Sequence, residues 1–221
     1  SATVTLRVGP NFEEMSEADT VTGIVTDFAL TASGLTHATH YVYEITVEND
    51  VGRTATASGE FFTQYDPSIA LLPSDDPAAN VANLSVAFAA AAQTQDTVTL
   101  GEGVFAINAP LTVDGGITVV GQGWDKTTLK QVGAGRVITL AGGSKLRGVT
   151  LTGGAIGTAW DHGAGAFVED GTISWCCITN NATARPAGNN NYGGGVCVSK
   201  GTVDHSVVAY NTSAANGGSS F

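Results

Sequence analysis

Basic residues are scarce in this chain: nine Lys or Arg stand against 20 Asp or Glu, for a net charge of −11. With no basic face to neutralise phosphates, nucleic acid is excluded as a partner. Cysteine is equally sparse. Three residues, two of them adjacent, do not make a disulfide framework. No apolar run approaches the ~20 residues needed to span a bilayer as a helix, so no membrane span is expected in this chain. Long segments of 3.6-residue periodicity are also missing apart from one, which excludes a helical repeat. No signal peptide opens the sequence, because Ser1-Ala2-Thr3 already reads as the start of a strand. The chain is expected to be a mature or excised portion of a longer secreted protein.

What the chain has in quantity is glycine, unevenly placed. Five of the 29 lie in residues 1–95 and 24 in residues 96–221. Charge is divided the other way, with 12 acidic and two basic residues in the first part against eight and seven in the second. The glycine-rich part repeats itself. GAGAFVEDGTISWCCITNN (163–181) aligns with GGGVCVSKGTVDHSVVAYN (193–211) at an offset of 30, and KLRGVTLTGG (145–154) is a fainter copy about 27 residues upstream. In register, three columns form: Leu146/Ile173/Val203, Val149/Cys176/Ser206 and Leu151/Ile178/Val208. A turn column, Gly154/Asn181/Asn211, follows. Self-similarity at this period, in short β-branched runs with Gly or Asn at the corners, predicts stacked coils. The expected fold is all-β: a right-handed parallel β-helix over residues 96–221, C-terminally incomplete, with the apolar columns inside and the Asn column as a ladder.

Upstream, Ala2–Val8 and Tyr41–Asn49 alternate with period two and predict strands. Ser33-Gly34-Leu35-Thr36, Tyr41-Val42-Tyr43, Asn49-Asp50-Val51-Gly52 and Glu60–Thr63 together resemble the second half of a fibronectin type III domain. That resemblance implies a partial sandwich over residues 1–64, lacking its first two strands. Residues 65–75 read as a linker broken by Pro67 and Pro73. A helix is expected within residues 76–95, with Asp76 as N-cap, Pro77 at N1, and Val81, Leu84, Phe88 and Ala91 on one apolar face. Placed directly before a solenoid, it would cap the open end of the stack. The following passage, VTLGEGVFAINAPLTVDGGITVVGQGWDKTTLKQ (98–131), resembles the first coils of pectin-lyase-like proteins. The 163–211 repeats also resemble those of bacterial surface β-helix proteins, including polymorphic outer-membrane and autotransporter passenger types. These resemblances imply a scaffold that hosts enzymes, adhesins and inert stalks alike. The Gly121-Gln122-Gly123 turn precedes no helix and does not read as a phosphate loop.

Two regions could carry chemistry. Loops inserted at one phase of the repeat bring together Trp160, Asp161 and His162 with Arg185, Asn190 and Tyr192, a set of rings, amides and charges suited to a glycan. The outward sheet face aligns Arg147 with Ser174 and Asp204, and Gly148 with Trp175 and His205. Arg147, Asp204 and His205 are weak catalytic candidates. A glycosidase needs two carboxylates and a lyase needs calcium-binding carboxylates with an Arg or Lys base, and Asp204 is alone on that face. No metal site is expected from the His spacing. Calcium could still be held by the acidic loop at Glu13, Glu14, Glu17 and Asp19, although it lacks EF-hand spacing. Cys177 and Cys197 sit on neighbouring coils at different phases, which disfavours a bridge. The expected function is a non-catalytic extracellular surface, structural or adhesive protein, binding glycans or associating head to tail. The alternative is part of a carbohydrate-active enzyme whose catalytic coils lie elsewhere.

Overall fold

The computed structural model describes residues 1–24, 27–158, 161–184 and 191–213. The chain divides into two compact units, Ser1–Gln64 and Tyr65–Phe221.

The first unit is one antiparallel sheet. Strands β1 (Ala2–Gly9), β2 (Ser16–Gly23), β3 (His40–Asn49) and β4 (Thr54–Phe62) lie in the order β2-β1-β3-β4. Val4, Leu6 and Val8 alternate inward on β1, facing Val47, Ile45 and Tyr43 of β3. Opposite pairs share a face, so these side chains form one apolar surface of the sheet. The β3–β4 hairpin closes where Asn49 Oδ1 accepts from the amides of Val51 and Arg53, with Gly52 at φ +76°. The sequence predicts part of a sandwich here. A sandwich requires a second sheet, and the described residues of this unit form one sheet only.

The second unit opens with helix α1 (Pro77–Thr94). Asp76 caps it by accepting from the Ala78 amide at 2.8 Å, and Pro77 occupies the first turn, where no N–H is needed. Its buried face is Asn80, Leu84, Ala87, Phe88 and Ala91; Val81, expected on that face, is half-buried. Asn80 takes the inward place because its amide is fully used. It donates to the Ser74 and Ala106 carbonyls and accepts from the Ser74 amide, so its burial leaves nothing unpaired. The helix packs against the first strands of a solenoid, β5 (Thr97–Thr99), β6 (Gly103–Ile107) and β7 (Leu111–Val113).

That solenoid makes about four turns. After β7 come β8 (Thr118–Val120) and β9 (Thr127–Gln131), then β10 (Ile138–Leu140), β11 (Ser144–Arg147), β12 (Thr150–Thr152) and β13 (Ala155–Ile156). The next coil is β14 (Ala166–Val168), β15 (Gly171–Ser174), β16 (Cys177–Thr179) and β17 (Ala182–Thr183). The last is β18 (Val196–Val198), β19 (Gly201–Asp204), β20 (Val207–Ala209) and β21 (Thr212–Ser213). Equivalent strands stack in parallel as β18-β14-β10-β7, β19-β15-β11-β8-β5, β20-β16-β12-β9-β6 and β13-β17-β21.

The register follows the predicted columns. Leu146 pairs with Ile173 and Ile173 with Val203, while Leu151, Ile178 and Val208 form a second inward row. Cys176 is fully buried between them, and burial pushes its thiol up to about 11. All three cysteines are free, Cys177 lying in β16 and Cys197 in β18, on separate sheets. The asparagine ladder is built as expected. Asn181 Oδ1 accepts from the Gly154 amide at 2.8 Å, and Asn211 Oδ1 accepts from the Asn181 amide at 3.0 Å. Asn181 Nδ2 donates to the Leu151 and Thr179 carbonyls, which leaves no room for a glycan on this sequon asparagine. Glycine beside the ladder is obligatory. A Cβ on Gly165 would come within 2.7 Å of Asn181 Nδ2, and one on Gly195 within 2.6 Å of Asn211 Nδ2. No helix among the described residues is long and apolar enough to cross a membrane.

Candidate functional site

The corner between the β11-type and β12-type strands is short in most coils. Two residues, 148–149, join β11 to β12; two, 175–176, join β15 to β16; and two, 205–206, join β19 to β20. Between β8 and β9 the same corner takes six residues, 121–126, and bulges outward. The bulge is anchored: the Gly123 amide donates to the Gly148 carbonyl at 3.1 Å, and the Thr150 hydroxyl donates to the Trp124 carbonyl at 2.6 Å. A cleft of about 380 Å³ lies against it, lined by residues 120–125, Arg147, Gly148 and Trp175.

Two indoles therefore border one cleft from coils two apart, and both are substantially exposed, Trp124 at 38% and Trp175 at 48%. Arg147 joins them as a cation without a hydrogen-bond or ion-pair partner among the described residues. Asp125 supplies a carboxylate on the bulge side. The corner position itself is left-handed in three successive coils: φ is +68° at Gly148, +54° at Trp175 and +43° at His205. Bulky side chains avoid this region at a cost of roughly 1–2 kcal/mol. Trp175 and His205 offset part of that cost by stacking, with centroids 4.8 Å apart and planes 13° apart.

Of the weak catalytic candidates, Arg147 borders the cleft, while Asp204 lies one coil beyond Ser174 in the Arg147 column and His205 one coil beyond Trp175 in the Gly148 column. His205 Nδ1 lies 3.6 Å from Asp204 Oδ1, an ion pair only when the imidazole is protonated and too long for a hydrogen bond. Sequence reading placed Trp175 in this column but took Trp124 as a mark of the fold alone. Its bulge occurs in one coil, so no repeat partner signals it.

The loop edge has a different character. Asp161 pairs with Arg136 Nη2, and the same guanidinium donates to the His162 and Gly163 carbonyls and lies 5.1 Å over the Phe167 ring. His162 Nδ1 accepts the Tyr192 amide at 3.0 Å, and the two rings meet at 5.3 Å. The polar capacity of Asp161 and His162 thus goes into holding successive loops together. Trp160, Arg185 and Asn190, expected beside them, lie outside the described residues.

Among the described residues no three His, Cys, Asp or Glu side chains are grouped to hold a metal ion. In the acidic loop, Asn11 Oδ1 accepts from the Glu13 and Glu14 amides, and the Asp19 carboxylate accepts from the Thr20 and Thr31 amides. These features define a parallel β-solenoid with an aromatic cleft on one outward corner. No protein-family model, curated protein or solved structure matches the chain.

Proposed function

We propose that the protein is a non-catalytic, secreted surface β-solenoid whose corner cleft binds a saccharide. The observation that carries this reading is the pair of exposed indoles, Trp124 and Trp175, bordering one cleft beside Arg147, which has no side-chain partner among the described residues. Indole faces stack on the C–H faces of sugars, and a guanidinium at the rim donates to hydroxyl or ring oxygens. A structural corner would need neither the six-residue bulge nor an aromatic residue in a left-handed position.

Hydrolysis asks for two carboxylates about 5–9.5 Å apart. The described residues lining the cleft include one carboxylate, Asp125, which favours binding over cleavage. In this reading α1 plugs the first coil, residues 65–75 act as a linker, and the Ser1–Gln64 unit is a fibronectin-like spacer. The pectin-lyase-like and surface-protein resemblances of the repeats fit a display scaffold.

The test is calorimetric titration of the intact chain with cello-, manno- and xylohexaose and with a galacturonan hexamer, followed by assay of each mixture for new reducing ends. Saturable binding with altered tryptophan fluorescence and intact oligosaccharide is expected. Absence of binding by every member, or cleavage of any, overturns the reading.

A further inference from the structure

The aromatic column along the corner has a gap in it. Trp175 stacks on His205 in one adjoining coil, so the indole face turned away from His205 is directed at the other adjoining coil. That coil places Gly148 at the matching position. Below Gly148 the register brings Gly121, also without a side chain, and then the bulge carrying Trp124. Coils stack about 4.8 Å apart, close to the 4.8 Å separating the Trp175 and His205 rings. Removing the side chain from one level of such a column leaves a slot two coil spacings high, roughly 9–10 Å between the levels above and below it. One ring lying parallel to Trp175, with van der Waals contact on each side, fills that height.

The geometry points to a single neutral saccharide ring seated at the Gly148 level, its C–H face stacked on Trp175 and its hydroxyl edge turned to Arg147 and Asp125. This rests on the saccharide-binding reading and adds where and how the ring sits. Neutrality follows from the rim. Arg147 and Asp125 border the same cleft and offset one another in charge, and hydroxyl groups answer both because each is donor and acceptor. An anionic sugar would face Asp125 and a chain of net charge −11. The left-handed backbone at Gly148 is not the reason for glycine there, because Trp175 and His205 hold side chains in the same conformation at the same corner. A Cβ on Gly148 would meet the Gly121 carbonyl oxygen at 3.1 Å, a tight contact that asks the bulge backbone to give by a few tenths of an ångström. Gly148 thus leaves empty the level next to two stacked rings of the column, Trp175 and His205.

The test fills the gap. Gly148→Trp continues the column and occupies the slot, so affinity for whichever neutral hexaose binds the wild type is expected to fall at least roughly tenfold, with far-UV circular dichroism retained and melting temperature lowered by only a few degrees. Trp175→Leu, which keeps the slot and removes its stacking face, supplies a second readout should Gly148→Trp fail to fold; a comparable loss is expected. Binding that survives either folded variant overturns the slot while leaving saccharide binding in the cleft intact. Absence of hexaose binding by the wild type removes both readings. Preference for the galacturonan hexamer, or for adenosine as a flat aromatic probe, overturns the assignment to a neutral sugar even if Gly148→Trp abolishes it.

Discussion

Two edges of the solenoid use similar residues to different ends. At the loop edge a cation, a carboxylate, an imidazole and a phenol are present, and the Arg136 side chain is 15% exposed, ringed by Asp161, two carbonyls and Phe167. At the corner edge a cation, a carboxylate, an imidazole and two indoles are present, and Arg147 is exposed and unpaired among the described residues. The contrast teaches that residue type alone does not mark a binding face. The loops must be tied to each other because irregular backbone has no strand ladder to hold it, and polar side chains do that tying. The corner backbone is held by the parallel strands on either side, so its side chains are free for something else.

The largest effect is expected from a change that removes both edges at once. Ile173 is wholly buried in the inward column, and Ile173→Asp places an unpaired charge there. A loss above about 4 kcal/mol, enough to abolish cooperative unfolding in urea, is expected. Next in size is Asp161→Ala, which leaves the Arg136 guanidinium without its counter-charge in a largely buried place. Thermal unfolding is expected to show a loss of about 1–3 kcal/mol, with hexaose affinity unchanged.

The inner column also has a pH signature. Burial raises the Cys176 thiol from its ordinary 9.0 to about 11, so the folded chain holds this proton where the unfolded chain releases it. That contribution is fully present below pH 9 and is lost as pH rises towards 11, on the order of a few kcal/mol by linkage. Urea midpoints measured across this window are expected to fall less steeply in Cys176→Ala. The smallest stability effect belongs to Arg147→Ala, within about 0.5 kcal/mol by chemical denaturation, because it has no side-chain partner among the described residues to lose.

Much of the solenoid was legible because each coil repeats the one before it. The 30-residue offset fixed Ile173 over Val203 and Asn181 over Asn211, and the hydrogen bonds follow that register. The Asp76-Pro77 signal likewise placed the helix start, since capping is local chemistry. The expected helix face holds at Leu84, Phe88 and Ala91 and differs in its first turn, where Asn80 rather than Val81 is buried. Asn80 is buried through bonds to Ser74 and to Ala106, the second 26 residues away and invisible to periodicity. Trp175 and His205 could be assigned to one column, but the cleft depends on a bulge that breaks the repeat. Arg136 escaped notice altogether, because its partners lie 25 to 27 residues on in irregular loops. In the Ser1–Gln64 unit the strand pattern predicted β1 and β3, the closing strand expected at Glu60–Thr63 covers only the end of β4, and a second sheet depended on family resemblance and is not among the described elements.

The division of labour between the two edges is tested most directly by one paired measurement. Trp175→Leu and Asp161→Ala are compared with the wild type for melting temperature and for hexaose affinity at a temperature where all three are folded. Trp175→Leu is expected to lose affinity at least roughly tenfold with little change in melting temperature, and Asp161→Ala to lose several degrees with affinity retained. The reverse pattern, with affinity lost through Asp161 and kept without the Trp175 indole, would contradict the assignment of the corner as the binding edge.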